Sequence, residues 1–435
     1  MIKNITGYAY RDLTLVPSKI SSVKSRSECN CLNKDDMLPI WTAPMASVIS
    51  NSNSIEFKKN KIRTIIPRNI PILTRLCECA MGNWVALSLK EFNDHFVNRA
   101  FNETVKDKSK ILDFYVCVDI ANGHMQSLYE ACKTVKDVAK KNNYKLTLMT
   151  GNIANPDTYK WIIQNYQTTD LDGKKSCVID YIRVGIGGGF GCITSSNVSI
   201  HYPQASLIDA CYSVKRFMQN EDYICPDIIA DGGIRNYDDA IKALALGADS
   251  VMIGSIFSQC IESAGVKYNK NLSQKVNVKF PIENYERYRC DEKGNWHGYY
   301  TEKFLNHLLQ PWQDKLDYTK EYFGELHNKY FEAKEKFENR KKDLKEEKVI
   351  GPIEVKFFGM ASKDGQLSID GKKTKTAEGI TKIIPTKYTI EGWIKNFISY
   401  LQSAMSYTNC KNLNEFIGKQ TLIVNSISEI YAVNK

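Results

Sequence analysis

The chain has 435 residues, 43% of them hydrophobic and 25% charged, with a formal net charge of +10. That length buries a large core, as one barrel-sized domain with an appendage or as two or three domains. The positive charge is interleaved with acids, with no compact basic run among aromatics and no apolar run of membrane-spanning length, so we expect no nucleic-acid partner and no membrane segment. A mild preference for anionic ligands such as nucleotides is what the charge allows. Thirteen cysteines, an odd number, are scattered through apolar segments, and no secretory signal opens the chain. We therefore expect a reduced, cytoplasmic protein. The pairs Cys29/Cys31 and Cys77/Cys79 lack the two-residue spacer usual for zinc, and we expect no metal there.

Residues 8–17 alternate, and residues 38–48 read as a buried strand ending in a Pro-Met turn. Further short apolar runs lie at residues 62–67, 84–87, 114–120 and 145–149, with a helical stretch at 126–139. Such runs predict strands of a parallel sheet buried on both faces and separated by helices. Residues 178–182 lead into a glycine-dense loop, with Cys192 at its end and Thr194 two residues on. Without Cβ atoms such a loop turns tightly or lies against a ligand. A cysteine at its mouth is placed to attack a small molecule; the other reading is a buried structural thiol. A helix with Ile208, Tyr212, Val214 and Phe217 follows, then a strand at 227–231, a helix at 237–246 and a strand at 250–254. Around eight such units predict an α/β fold, a (β/α)8 TIM barrel with its site at the carboxyl ends of the strands. Asp119, Asn152, Cys192, Asp231 and Ser255 all fall at those ends, which favours a site over a set of structural turns.

From residue 266 to 350 the composition shifts. Residues 318–348 are dense in Glu and Lys at i,i+4 spacing, with Tyr322, Leu326, Tyr330, Ala333 and Phe337 on one stripe. This predicts one long amphipathic helix, paired with the stretch before it and serving structure or oligomer contact rather than catalysis. The chain then divides into a first part of the barrel (1–265), a charged, largely helical insertion after the last barrel strands (266–350) and a C-terminal completion (351–435) with a helix at 390–405.

The segments LVPSK and KSRSE (within 15–28), TAPM (42–45), VDIANGH (118–124), GN (151–152) and VGIGGGFGCIT (184–194) continue with YPQAS (202–206), IIADGGIR (228–235), GADSVMIGS (247–255), FFGMAS (357–362) and AEG (377–379). In this order they resemble the inosine monophosphate dehydrogenase / guanosine monophosphate reductase family. The forms KSRSE and VDIANG resemble the reductases. Residues 67–84 leave no room for a regulatory domain, and residues 363–376 contain no arginine where the dehydrogenases resemble one another in a water-activating Arg-Tyr flap. An Arg287-Tyr288 pair occurs inside the insertion instead.

The resemblance implies NADPH-dependent reductive deamination of GMP, or a closely related guanine nucleotide, to IMP and ammonia through a covalent cysteine–purine intermediate. It makes Cys192 the nucleophile, with Thr194 and Glu262 delivering a proton to the leaving amine; Glu262 otherwise reads as an exposed helix carboxylate. Asp231 would accept the ribose hydroxyls, or else cap its strand. Backbone N–H groups at Gly232, Gly233, Gly254 and Ser255 would hold the phosphate, and Met45, Asn152, Gly359, Met360 and Glu378 would surround the base. Asp119, Asn122 and Gly123 would face the NADP cofactor, with Arg68 where the reductases resemble one another in a lysine. A monovalent cation such as K+ has a place at Gly187, Gly189 and Cys192, and a homotetramer or other homo-oligomer is expected.

There are departures. Phe190 replaces the family's phosphate-binding serine, Phe357 its tyrosine, and Ser195 the arginine after the Cys-x-Thr motif. Two hydroxyl donors are lost, each hydrogen bond to a charged group being worth roughly 1.5–3 kcal/mol. We expect a remodelled phosphate end, served by Lys or Arg from the insertion, and a substrate in a different phosphorylation state. Two other readings stand beside this one. One is an IMP dehydrogenase without a regulatory domain, oxidising IMP to XMP with NAD, Arg287 activating water. The other is a catalytically retired barrel acting as a binding or assembly protein, against which the joint presence of Cys192, Thr194 and Glu262 weighs.

Overall fold

The computed structural model describes residues 7–97, 112–269, 282–325, 328–371 and 376–426. Eight strands form its central sheet: β1 (Ile40–Thr42), β2 (Ile65–Ile66), β3 (Trp84–Leu87), β4 (Leu112–Asp119), β5 (Tyr144–Ile153), β6 (Tyr181–Val184), β7 (Asp227–Asp231) and β8 (Ser250–Ile253). They are parallel and lie in the order β1-β8-β7-β6-β5-β4-β3-β2. The Thr42 N–H donates to Arg63 O (2.9 Å) and the Arg63 N–H to Ile40 O (3.1 Å), joining the two ends into a (β/α)8 barrel.

The apolar runs are continuous because alternate residues are buried on opposite sides of the wall. Trp41, Ile65, Ala86, Cys117, Met149, Ile229 and Met252 fill the barrel. Their neighbours Ile40, Ile66, Val85, Val116, Leu148, Ile228 and Val251 pack outward under the helices. Inside, Trp41 meets Trp84 edge-on at 5.1 Å and donates its indole N–H to Ser250 Oγ (3.0 Å). The outer layer comprises α1 (Ser54–Lys59), α2 (Ile72–Ala80), α3 (Gln126–Lys141), α4 (Pro156–Asn165), α5 (Gln204–Asn220) and α6 (Tyr237–Ala245).

After β8 the chain leaves the barrel through β9 (Lys267–Asn269), β10 (Tyr285–Cys290) and β11 (Trp296–Tyr300). The helices α7 (Glu302–Phe323) and α8 (Asn328–Lys345) follow, then β12 (Lys348–Gly351), β13 (Ile353–Phe358) and β14 (Thr381–Pro385). The single helix expected over 318–348 is thus two. Gly324, at φ 78°, adopts a backbone conformation that ends α7 and that side-chain-bearing residues avoid. Of the expected stripe, Phe337 packs with Leu305, Leu309 and Leu344 between the helices, while Leu326 lies outside the described residues. The insertion also holds a sheet, β10-β11-β12, that the charge pattern concealed. Its Trp296 is fully buried with Ile261, Ile350 and Ile353, which anchors the sheet to the end of the barrel.

A second sheet, β9-β13-β14, returns the chain towards the barrel. Helix α9 (Ile390–Tyr407) then buries Trp393, Phe397, Leu401 and Met405, with Trp393 against Tyr237 of α6 (5.0 Å) and Phe257 (5.5 Å). The strand Leu13–Leu15 pairs with Leu422–Val424. Among the described residues no helix is long and apolar enough to cross a membrane, and no group of three or more His, Cys, Asp or Glu is placed to hold a metal ion. All thirteen cysteines are free.

Candidate active site

The loop after β6 is held from two sides. At Gly185 (φ 137°) a Cβ would stand 2.2 Å from Asp231 O, so the strand ends of β6 and β7 approach as only glycine permits. On the other side residues 378–380 run antiparallel to the loop: Ile193 N–H donates to Glu378 O and Ile380 N–H to Gly191 O, both at 3.0 Å. This pairing sets two side chains side by side. The half-buried Cys192 thiol donates to Thr194 Oγ1 (3.2 Å), whose hydroxyl donates to Glu378 Oε2 (3.1 Å). A thiol, a hydroxyl and a carboxylate thus form one relay.

Two cavities meet at this relay. The first, about 230 Å³, is lined by Met45, Asp119, Arg183, Asp231, Ser255 and Met360, with Phe190 and Phe357 also in its wall. The second, about 750 Å³, is lined by Asn122, His124, Asn152, Asn155, Ile200 and His201. Gly189, Cys192, Asp231, Gly232 and Glu378 belong to both, so the sulfur sits where two ligands can meet.

The base-side and ribose-side candidates come together. Asp231 Oδ2 accepts from Asn152 Nδ2 (2.7 Å) and from Arg183 Nε (3.0 Å) and Nη2 (2.8 Å). Arg183 Nη1 also donates to Asp119 Oδ1 (2.5 Å). Burial works against its charge, but Asp231 and then Asp119 outweigh it and hold the guanidinium more firmly protonated than usual. Arg183 was not foreseen as a site residue. The signal was a charge between the buried Ile182 and Val184, on the inward face of a strand. Arg183→Ala strips two carboxylates of their shared cation; the expected cost is about 3–5 kcal/mol, read from chemical denaturation.

Other candidates fall differently. Gly359, Gly232, Gly233 and Gly254 line the first cavity, but the Gly233 N–H is taken by Gly188 O (3.0 Å), and the helix that Ser255 opens is one turn long (Ser255–Ser258). Gly123 donates its N–H to Asn152 O (2.8 Å) and so braces the wall. Arg68 lines neither cavity and faces Glu91 Oε2 at 3.9 Å, a carboxylate already held by Arg75. At the proposed cation position, Gly187 O accepts from Ser195 Oγ (3.2 Å) and Gly189 O from the Cys192 N–H (3.0 Å). His124, another residue not foreseen, accepts the Ala154 N–H at Nε2 (3.1 Å), which leaves Nδ1 to donate to Thr158 (2.8 Å). Burial lowers its pKa and keeps that neutral tautomer.

Glu262 corrects the expected relay. Its two carboxylate oxygens accept the Ile390 N–H at the start of α9 (3.1 and 3.2 Å), in a separate cavity of about 650 Å³ shared with Glu56, Lys267 and Tyr288. A carboxylate there satisfies an orphan donor of α9, and Thr194 meets Glu378 instead. Burial pushes the Glu262 carboxyl from 4.5 up to about 7 and the Lys267 ammonium down to about 8. The folded state therefore holds the Glu262 proton more tightly than the unfolded chain, and stability is lost as pH rises from 4.5 through 7. Glu262→Gln keeps the acceptor without the charge. It is expected to raise stability by about 1–3 kcal/mol above pH 7 and by nothing near pH 4, measured by denaturation at both values.

Among the described residues of the insertion, 266–269, 282–325 and 328–350, none lines either cavity, so none of these supplies the expected phosphate cation. Arg287 pairs with Glu286 (3.1 Å) and lies over the Tyr299 ring, and Tyr288 OH donates to Tyr285 O (2.7 Å), both away from Cys192.

A closed barrel with a cysteine loop between two ligand-sized cavities defines a TIM-barrel protein whose candidate site lies at the carboxyl ends of its strands. The sequence profile of the IMP dehydrogenase / GMP reductase domain matches residues 7–280, and the chain belongs to that family. Among curated proteins it is 28% identical over 269 residues to a GMP reductase of Staphylococcus epidermidis, covering 59% of this chain and 73% of that one. A GMP reductase of Staphylococcus saprophyticus is also 28% identical (59% and 72% covered), and one of Staphylococcus aureus is 26% identical (59% and 73%).

Proposed function

We propose that the chain is a GMP-reductase-like oxidoreductase that converts GMP, or a closely related guanine nucleotide, to IMP and ammonia at the expense of NADPH. The observation that carries this reading is the Cys192–Thr194–Glu378 relay at the junction of two cavities. The Cys192 sulfur, as thiolate, adds to the purine carbon that bears the amino group. The amine leaves as ammonia only if protonated, and Thr194 passes it a proton backed by Glu378. Asp231 and Asn152 orient the ribose and base.

The second cavity, with the amides of Asn122, Asn152 and Asn155 and the apolar edge of Ile186 and Ile200, suits a planar carboxamide-bearing ring. When bound there, a nicotinamide cofactor supplies the hydride that replaces the carbon–sulfur bond and frees Cys192. The same reading takes residues 1–265 and 351–435 as the catalytic barrel and 266–350 as an appended module. It also expects a cytoplasmic homotetramer or other homo-oligomer and leaves K+ as a candidate at the cysteine loop.

The test is to mix the protein with GMP and NADPH and follow nicotinamide absorbance and purine products together. NADPH oxidation matched by IMP is the expected result. XMP formed from IMP and NAD points to the dehydrogenase, and no turnover in either direction defeats both.

A further inference from the structure

Phe190 and Phe357 stand where the resemblance implies hydroxyl donors to phosphate, and both line the first cavity. Their rings pack with centroids 5.4 Å apart and planes inclined by 59°. Phe357 lies on β13 directly opposite Lys382 on β14. The Lys382 ammonium stands 4.9 Å from the centre of the Phe190 ring. Two neighbouring cations are committed, Arg183 to Asp231 and Asp119, and Lys356 to Asp364 (2.8 Å). Among the described residues Lys382 is in no ion pair, and its side chain is exposed.

We propose that Lys382 is the specificity residue for the anionic end of the substrate, a 5′-phosphate on a purine nucleoside. The proposal rests on the purine-nucleotide reading of the cleft. An ammonium over an aromatic face is held by the ring quadrupole at a cost far below that of a buried ion pair, so it is released easily to a stronger partner. A phosphate is that partner, because a charge-assisted N–H···O bond exceeds a cation–ring contact. Phe357 is buried while Phe190 is exposed at the rim, so ammonium and phosphate would meet at a partly solvated edge where salt screens them. A flexible four-carbon stem lets the point charge move from ring to ligand, which a fixed serine or tyrosine hydroxyl does not need to do.

The experiment measures binding of IMP, GMP, inosine and guanosine to the full chain and to Lys382→Met and Lys382→Arg by titration calorimetry at low and high salt. The parent protein is expected to prefer each monophosphate over its nucleoside by at least about tenfold, and Lys382→Met to lose roughly that factor without weakening nucleoside binding. Lys382→Arg is expected to restore most of the preference, and added salt to erode it in the parent alone. The proposal is overturned if Lys382→Met keeps the full preference or if the parent does not distinguish nucleotide from nucleoside. A Lys382-dependent preference in a protein that fails to turn over GMP sustains this inference and defeats the reductase; GMP turnover with no effect of Lys382→Met does the reverse.

Discussion

Cys192→Ala is expected to reduce GMP-dependent NADPH oxidation by about 10⁴-fold or more while leaving the fold intact. The loss is large because, among the described residues lining the two cavities, Cys192 carries the one thiol, a good nucleophile that is also readily expelled. The fold is spared because the Cys192 N–H bond to Gly189 O and the pairing with residues 378–380 are backbone interactions, and the thiol makes a single weak side-chain bond. Alkylation gives an independent readout. Nine of the thirteen cysteines are buried. Burial pushes the Cys225 thiol up to about 11 and, with Asp291, raises that of Cys290, leaving exposed Cys77 as the main competitor. Mass spectrometry is expected to find modification at Cys192 that guanine nucleotide blocks and at Cys77 that it does not. Turnover unchanged in Cys192→Ala removes the covalent mechanism.

The barrel was legible because its strands carry apolar residues on both faces. A run such as residues 227–231 has one reading, and β7 occupies the same residues. The cysteine loop was legible through its glycines, which the approach of Gly185 to Asp231 requires. What the sequence concealed is mostly a matter of direction. Glu262 and Glu378 both follow recognisable motifs, yet the first turns to the start of α9 and the second reaches Thr194 across 184 positions of chain. The sheet β10-β11-β12 was hidden because Trp296 is buried by residues far along the chain, Ile350 and Ile353 among them, while the nearby Lys and Glu pattern announced helices. Lys382 is one lysine among many until β13 pairs with β14 and sets it opposite Phe357.

The same difference in direction makes Glu378→Gln and Glu262→Gln a decisive pair. Glutamine at 378 retains the size of the side chain and an oxygen for the Thr194 hydroxyl, but has no carboxyl to back the proton transfer. Turnover is expected to fall about 10²–10⁴-fold, in kcat rather than in nucleotide binding, because the lost interaction acts as the amine departs. Thr194→Val interrupts the relay at its middle member. Its loss and that of Glu378→Gln should not add in the double variant, since either change alone breaks the same path from carboxylate to amine. Glu262→Gln, by contrast, is expected to leave kcat unchanged and to alter only stability and its pH dependence, because that carboxylate answers to the Ile390 N–H. If Glu262→Gln abolishes turnover and Glu378→Gln does not, the proton reaches the amine by another route and the relay through Thr194 and Glu378 is wrong.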